Sequence, residues 1–145
     1  DDNVLNISSA VIDWYNQVTI TKHLSTFGLT YTDEAKSGEC VAYRTLQDVN
    51  FLKRKFRLNE SGIYVAPMLI DTVRDMTNWV RGKQIRSATQ ENVLNSLREF
   101  ALHGGDIYQR EICPIKKALA SVGLDSIRFP LYSEHESFFL EQRNQ

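Results

Sequence analysis

The sequence predicts an α+β chain, with short antiparallel strands and one helix in its first part and helices alone in its second. Three observations carry that reading. Strand-like runs bounded by turn residues fall before Pro67, and helical periodicity takes over after it. The 145 residues are 42% hydrophobic and 24% charged, the make-up of a globular chain with a real core. No internal repeat or low-complexity stretch interrupts the order, so the change of texture divides the chain into residues 1–66 and 67–145.

In the first part, residues 4–7 read as a short strand. Ser8 or Ser9 can cap a helix over residues 11–27, where Trp14, Val18, Thr21, Leu24 and Phe27 share a 3.6-residue stripe. Gly28 suits the left-handed position that ends it. Residues 29–32 are extended, residues 33–38 form a polar turn, and residues 41–43 offer a further pairing segment. Residues 59–62 are a hairpin turn, and residues 63–66 its return strand.

In the second part, Asp71 can cap a helix reaching Val80, with Val73, Met76, Trp79 and Val80 on one face and Gly82 beyond it. Ser87 and Gln90 have the spacing of a capping box opening a helix to His103. Its stripe is Val93, Leu94, Leu97, Phe100 and Ala101, and Gly104-Gly105 stops it. Asp106 caps a helix over residues 107–122, with a kink or break expected at Pro114. Gly123 ends that helix, and residues 133–142 form a last one after Pro130.

Composition narrows the function. A formal net charge of −1 excludes a uniformly basic nucleic-acid binder and leaves room for a local basic patch. No apolar run approaches the ~20 residues of a membrane-spanning helix. No secretory leader is present, so the chain reads as not secreted, and a start at Asp1 rather than Met reads as a cut within a longer chain. Cys40 and Cys113 lack metal-ligand spacing and read as buried, reduced thiols. His23, His103 and His135 are scattered, which argues against zinc; His103 serves a helix C-terminus more simply than catalysis. Trp14 and Trp79 read as packing residues. Arg74, Arg81, Lys83 and Arg86 read as a solvated face, with RNA contact as the functional alternative.

The most informative run is residues 49–57, Val-Asn-Phe-Leu-Lys-Arg-Lys-Phe-Arg. As one strand it would place Phe51, Lys53, Lys55 and Arg57 on one side, and Leu52, Arg54, Phe56 and Leu58 on the other. Neither side is purely apolar. Such a ribbon either anchors itself by its apolar groups while its cations meet phosphates, or is an edge strand kept from pairing by its lysines. At the other end of this part, Asp1-Asp2 before a strand is either surface charge or a pair of hard oxygen donors suited to Mg²⁺. Two carboxylates need a further acidic ligand to make a two-metal site, and the first part supplies none.

Taken in series, these stretches resemble the viral RNA-dependent RNA polymerases. Asp1-Asp2 is similar to the end of the Gly-Asp-Asp motif C. Gly28-Leu29-Thr30 followed by Asp33-Glu34-Ala35-Lys36 resembles motif D of the picorna-like enzymes, and Phe51-Leu52-Lys53-Arg54 their motif E. Ala66-Pro67, the helix with Trp79 and the helix ending at His103-Gly104 resemble the thumb that follows. The order and spacing match over essentially the whole chain, most closely the insect-infecting dicistrovirus type.

The resemblance implies a partial polymerase palm over residues 1–66 and a helical thumb over 67–145. It implies a nucleotidyltransferase that extends RNA from NTPs by a two-metal mechanism, with Mg²⁺ or Mn²⁺ as cofactor and template–primer RNA, NTPs and the rest of the viral polyprotein as partners. It also implies host cytoplasm, at replication complexes, as the setting. Asp1 and Asp2 would hold metal, Lys36 would protonate the pyrophosphate leaving group, and Lys53 and Arg54 would hold the primer backbone. The Tyr-Gly before motif C, a strand to pair with residues 4–7, and motifs A, B and F are not in these residues, so the chain alone is expected to be inactive. The rival reading is a non-catalytic helical module with a small β-ribbon that binds RNA or protein. The polymerase reading requires the acidic pair and the basic run to converge on one nucleotide-sized gap.

Overall fold

Val93, Leu97, Phe100 and Ala101 recur three and four residues apart, so a helix through them carries one continuous apolar stripe. In the computed structural model, which describes residues 3–33, 36–81 and 83–143, that stripe is the centre of the second of two compact units, Asp1–Phe56 and Arg57–Gln145. Helices and small antiparallel strands together make the fold α+β.

The second unit opens with a hairpin. Strand β3 (Arg57–Leu58) pairs antiparallel with β4 (Tyr64–Val65), in the register Arg57 to Val65 and Leu58 to Tyr64. The predicted turn forms between them. The Asn59 side chain accepts from the amides of Ser61 and Ile63, and Gly62 takes φ +71°.

Four helices follow, α2 (Ile70–Met76), α3 (Ile85–Ala101), α4 (Gly105–Ser121) and α5 (Tyr132–Arg143). Helix α3 packs against the other three, and α4 also meets α5. Val73, Val93, Leu97, Phe100, Ala101, Tyr108, Ile112, Leu119 and Ile127 are buried together. On α4, Tyr108, Ile112, Ile115 and Leu119 fall on one face by the same periodicity.

The helix starts differ from the sequence expectations. Asp71 and Asp106 lie in first turns rather than at caps, where a carboxylate still complements the positive end of the helix. Gly104 stands at the cap position of α4. Helix α3 begins two residues before Ser87, whose hydroxyl turns back to the Gln84 carbonyl at 3.1 Å, so no capping box forms there. Pro114 does not break α4. Proline removes the bond to the Arg110 carbonyl, but both residues are exposed and water can satisfy that oxygen. Gly123 ends α4 as expected, at φ +69°, with the Leu124 and Gly123 amides donating to the Leu119 and Ala120 carbonyls in a Schellman motif.

The first unit is lightly packed. Among the described residues its α-helix, α1 (Gln17–Ser25), is about half the expected length and buries no residue. The cap is Asn16, not Ser8 or Ser9. The Asn16 side chain accepts from the Thr19 amide at 3.1 Å, the Thr19 hydroxyl accepts from the Asn16 amide at 3.0 Å, and Asn16 Nδ2 donates to the Ile12 carbonyl at 2.8 Å. That reciprocal pair outcompetes the serines, and residues 9–15 form turns and a bend. Trp14 and Phe27 are therefore exposed rather than packed. Residues 4–7 form no strand, since no segment among the described residues supplies a ladder partner. Residues 29–32 likewise join no sheet. Residues 41–43 pair with a helix start instead, the Ala42 carbonyl accepting from the Gln17 amide at 3.0 Å.

Candidate functional site

Asp1 and Asp2, expected to hold metal, lie outside the described residues, as do Glu34 and Ala35 of the polar turn. Among the described residues no group of three or more His, Cys, Asp or Glu could hold a metal ion. The other three candidate residues, Lys36, Lys53 and Arg54, all fall in the first unit.

Residues 49–57 do not form one strand, which corrects the alternating-face reading. Strand β1 (Asn50–Phe51) turns back into β2 (Arg54–Lys55), with Asn50 opposite Lys55 and Phe51 opposite Arg54. A type I′ reversal over two residues needs left-handed backbone at both. Leu52 and Lys53 supply it, at φ +50° and +62°. Neither is the Asn-Gly that such a turn favours, so the turn carries strain. It also exchanges the faces. Directly opposed residues point to the same side, so Phe51 and Arg54 lie together and half-buried, while Lys55 is on the other side and exposed. Leu52 and Lys53 occupy the exposed apex. Lys53 is thus an exposed cation at the apex of a narrow hairpin, followed by Arg54 and Lys55, and cations so placed are of the kind that can meet phosphates.

Lys36 sits on a separate loop. It too has left-handed backbone, at φ +50°, and its amide donates to the Asp33 carbonyl at 3.1 Å. Asp33 organises this turn. Its carboxylate accepts from the Ser37 amide at 3.0 Å and the Ser37 hydroxyl at 2.8 Å, and it pairs with Arg44 at 3.1 Å. Those Ser37 bonds, followed by Arg44, hold the Asp33 carboxyl below its usual range. Lys36 itself is exposed, on a loop pinned at its base. Asp33 enters the sequence reading only as part of the polar turn and motif D stretch, and Arg44 does not enter it at all. Eleven positions separate them, and no periodicity marks the pair.

Other residues change standing. Cys40 and Cys113 are exposed, not buried. His103 bonds the Met68 carbonyl through Nε2 at 2.8 Å rather than serving the end of its own helix. Arg74, Arg81, Lys83 and Arg86 are all exposed, as a solvated face requires, but Arg74 is also paired. It meets Glu111 and Asp71, while Arg86 donates to the Gly123 carbonyl at 3.0 Å. Trp79 is 75% exposed and lines an open cleft of about 400 Å³ with Arg81, Glu91, Asn92 and Asn95. Its backbone carbonyl, not its ring, is held, by Asn92 Nδ2 at 2.6 Å.

Comparison with known proteins gives a consistent picture. The family model of the viral RNA-dependent RNA polymerases matches residues 1–120. The chain is 37% identical over 137 residues to the replicase polyprotein of acute bee paralysis virus (strain Rothamsted), covering 92% of the chain and 7% of that polyprotein. It is 41% identical over 116 residues to the replicase polyprotein of Drosophila C virus (strain EB), covering 76% of the chain and 6% of the relative. The replicase polyprotein of cricket paralysis virus is 36% identical over 112 residues, again with 76% and 6% covered. The chain thus spans a small fraction of the length of each of these relatives.

Proposed function

Since the chain belongs to the viral RNA-dependent RNA polymerase family, on the picorna-like, dicistrovirus-type side, we propose that it works as part of an enzyme that transfers nucleotides from NTPs to an RNA 3′-hydroxyl during genome replication. In this reading residues 1–66 are the last part of the palm and 67–145 the thumb. The partners are template–primer RNA, NTPs and the remainder of a viral polyprotein, at replication complexes in the host cytoplasm. No helix among the described residues is long and apolar enough to cross a membrane.

The observation that supports this best is the hairpin apex. Lys53 stands exposed on a strained two-residue turn, with Arg54 beside it and Lys55 one position on. These cations would hold the nascent strand by its phosphates and read no base. Lys36, on a loop anchored through Asp33, would donate a proton to the departing pyrophosphate. Asp1 and Asp2 offer the adjacent carboxylates that would hold Mg²⁺ or Mn²⁺, and a further acidic ligand must come from residues outside this chain. Bound ions would supply charge neutralisation at the transferring phosphate.

Primer extension by the full polymerase tests the reading. Lys36→Ala should slow nucleotide addition by on the order of 10²-fold, the contribution of a positioned general acid. Lys53→Ala should weaken RNA binding and lower its salt dependence by about one unit of log-log slope. The 145-residue chain alone, lacking motifs A, B and F, should incorporate nothing. Metal-dependent incorporation by it, or an unchanged rate in Lys36→Ala, sinks the assignment.

A further inference from the structure

Arg57 is the first residue of β3, and its guanidinium is used twice within the second unit. Nη1 donates to the Leu102 carbonyl at 3.2 Å, and Nη2 meets Glu60 Oε1 at 3.2 Å. Leu102 is the C-cap of α3, where helix carbonyls lack intrahelical partners and attract a cation. The second oxygen of Glu60 accepts from the Tyr132 hydroxyl at 3.4 Å, and the Ser61 hydroxyl donates to Glu136 at 3.1 Å, both on α5. The hairpin is thus fastened to the end of α3 and the start of α5.

The seat is close. A Cβ at Gly104 would stand 3.0 Å from Glu60 Oε1 and 3.4 Å from Arg57 Nη1, and Gly104 takes φ +106°. A partly exposed i,i+3 ion pair alone would hold little. The helix-end carbonyl and the glycine seat are what make this contact a fixed point. In sequence, Phe56 alone separates Arg57 from Lys55, the last residue of the basic hairpin.

We propose that Arg57 is a positioning residue for nascent-strand binding. It clamps the strand that leaves the basic hairpin, so that Arg54 and Lys53 hang three and four positions from a fixed anchor rather than from a free tether. It touches no RNA itself. A residue of extended chain spans only about 3.3–3.6 Å, so fixing Arg57 restricts where the hairpin can go before RNA arrives. Less ordering then remains to be done on binding. The proposal rests on the reading of Lys53 and Arg54 as RNA-holding cations.

The test uses full-length polymerase and the half-life of stalled elongation complexes after a heparin challenge. Arg57→Gln should shorten the half-life about tenfold, leave the KM for NTP within about twofold, and add nothing in a Lys53→Ala/Arg54→Ala background. Arg57→Lys, which keeps one donor for Leu102, should recover part of the loss. Should Arg57→Gln fail to fold, Glu60→Ala is read by the same criteria. If the Lys53→Ala/Arg54→Ala enzyme keeps the wild-type half-life, the RNA-holding reading fails and the anchor with it. If that enzyme is short-lived but Arg57→Gln is not, or if the two effects multiply, the anchor alone is overturned.

Discussion

Arg74 of α2 grips Glu111 of α4 with two parallel hydrogen bonds, Nη2 to Oε1 at 2.7 Å and Nε to Oε2 at 3.0 Å. The Glu111 side chain is 9% exposed and that of Arg74 49%. The fork geometry satisfies both carboxylate oxygens and ties together two helices that each pack against α3. Arg74, followed by Arg110, holds the Glu111 carboxyl below its ordinary value of 4.5.

A depressed carboxylate contributes stability above its unfolded value and loses it as pH falls through the folded one. Resistance of the chain to urea should therefore fall below about pH 4.5, and Glu111→Gln should flatten that dependence. At neutral pH the substitution should cost on the order of 1–2 kcal/mol, discounted because half of the Arg74 side chain meets water. An acid limb of unchanged steepness in Glu111→Gln would show that the pair contributes nothing.

Two histidines set a second, separate window. His135 is buried edge-on to Tyr108, ring centroids 5.3 Å apart, and its Nε2 has no hydrogen-bond partner among the described residues. Burial first, then Arg98, lowers its pKa from 6.5, against Glu134, which raises it. Burial also lowers that of His103. Both rings fold neutral, so stability is full above about pH 6.5 and falls as pH drops below it, where the unfolded chain takes up protons first. His135→Phe should reduce the slope of stability against pH between about 7 and 5 and leave the Glu111 limb in place. An unchanged slope would mean that His135 titrates as it does unfolded.

Gly104 should tolerate no side chain. Gly104→Ala places a methyl 3.0 Å from Glu60 Oε1 at a backbone angle that L-residues avoid. The expected cost is about 2–3 kcal/mol, read as a lowered melting temperature. A variant that melts within a degree of the parent would contradict the close seating of β3–β4 on the α3–α4 junction.

The Leu52–Lys53 turn makes the opposite kind of prediction. Lys53→Gly removes left-handed strain, so the β1–β2 ladder should become more stable by about 1 kcal/mol. Slower amide hydrogen exchange in residues 50–55 would report it. RNA binding by the full enzyme should fall in the same variant, because the apical cation is gone. Gain of protection together with gain of RNA affinity would contradict a role for Lys53 at the interface.

What could be read in the sequence follows from which interactions are local. The α3 stripe, the Gly28 and Gly123 stops and the Asn59–Gly62 turn depend on residues within one or two turns of each other, and all were legible. Asn16 with Thr19 was just as local. It was missed because two serines earlier offered an equally plausible cap, and only the three-dimensional competition between them chose. Pro114 misled for the converse reason, since its cost depends on whether solvent reaches the freed carbonyl.

The sequence by itself determined the α+β order, the helical core of the second unit and, through the series Asp1-Asp2, Lys36 and Lys53-Arg54, the polymerase family. Tertiary structure decided that the basic run folds back on itself at Leu52–Lys53, that Trp14, Trp79 and both cysteines are exposed, and that Arg57, Glu60 and Leu102 meet. The physical reason is range. Periodicity and capping are set by neighbours a few residues away, whereas Arg57 and Leu102 lie 45 positions apart and no spacing rule connects them.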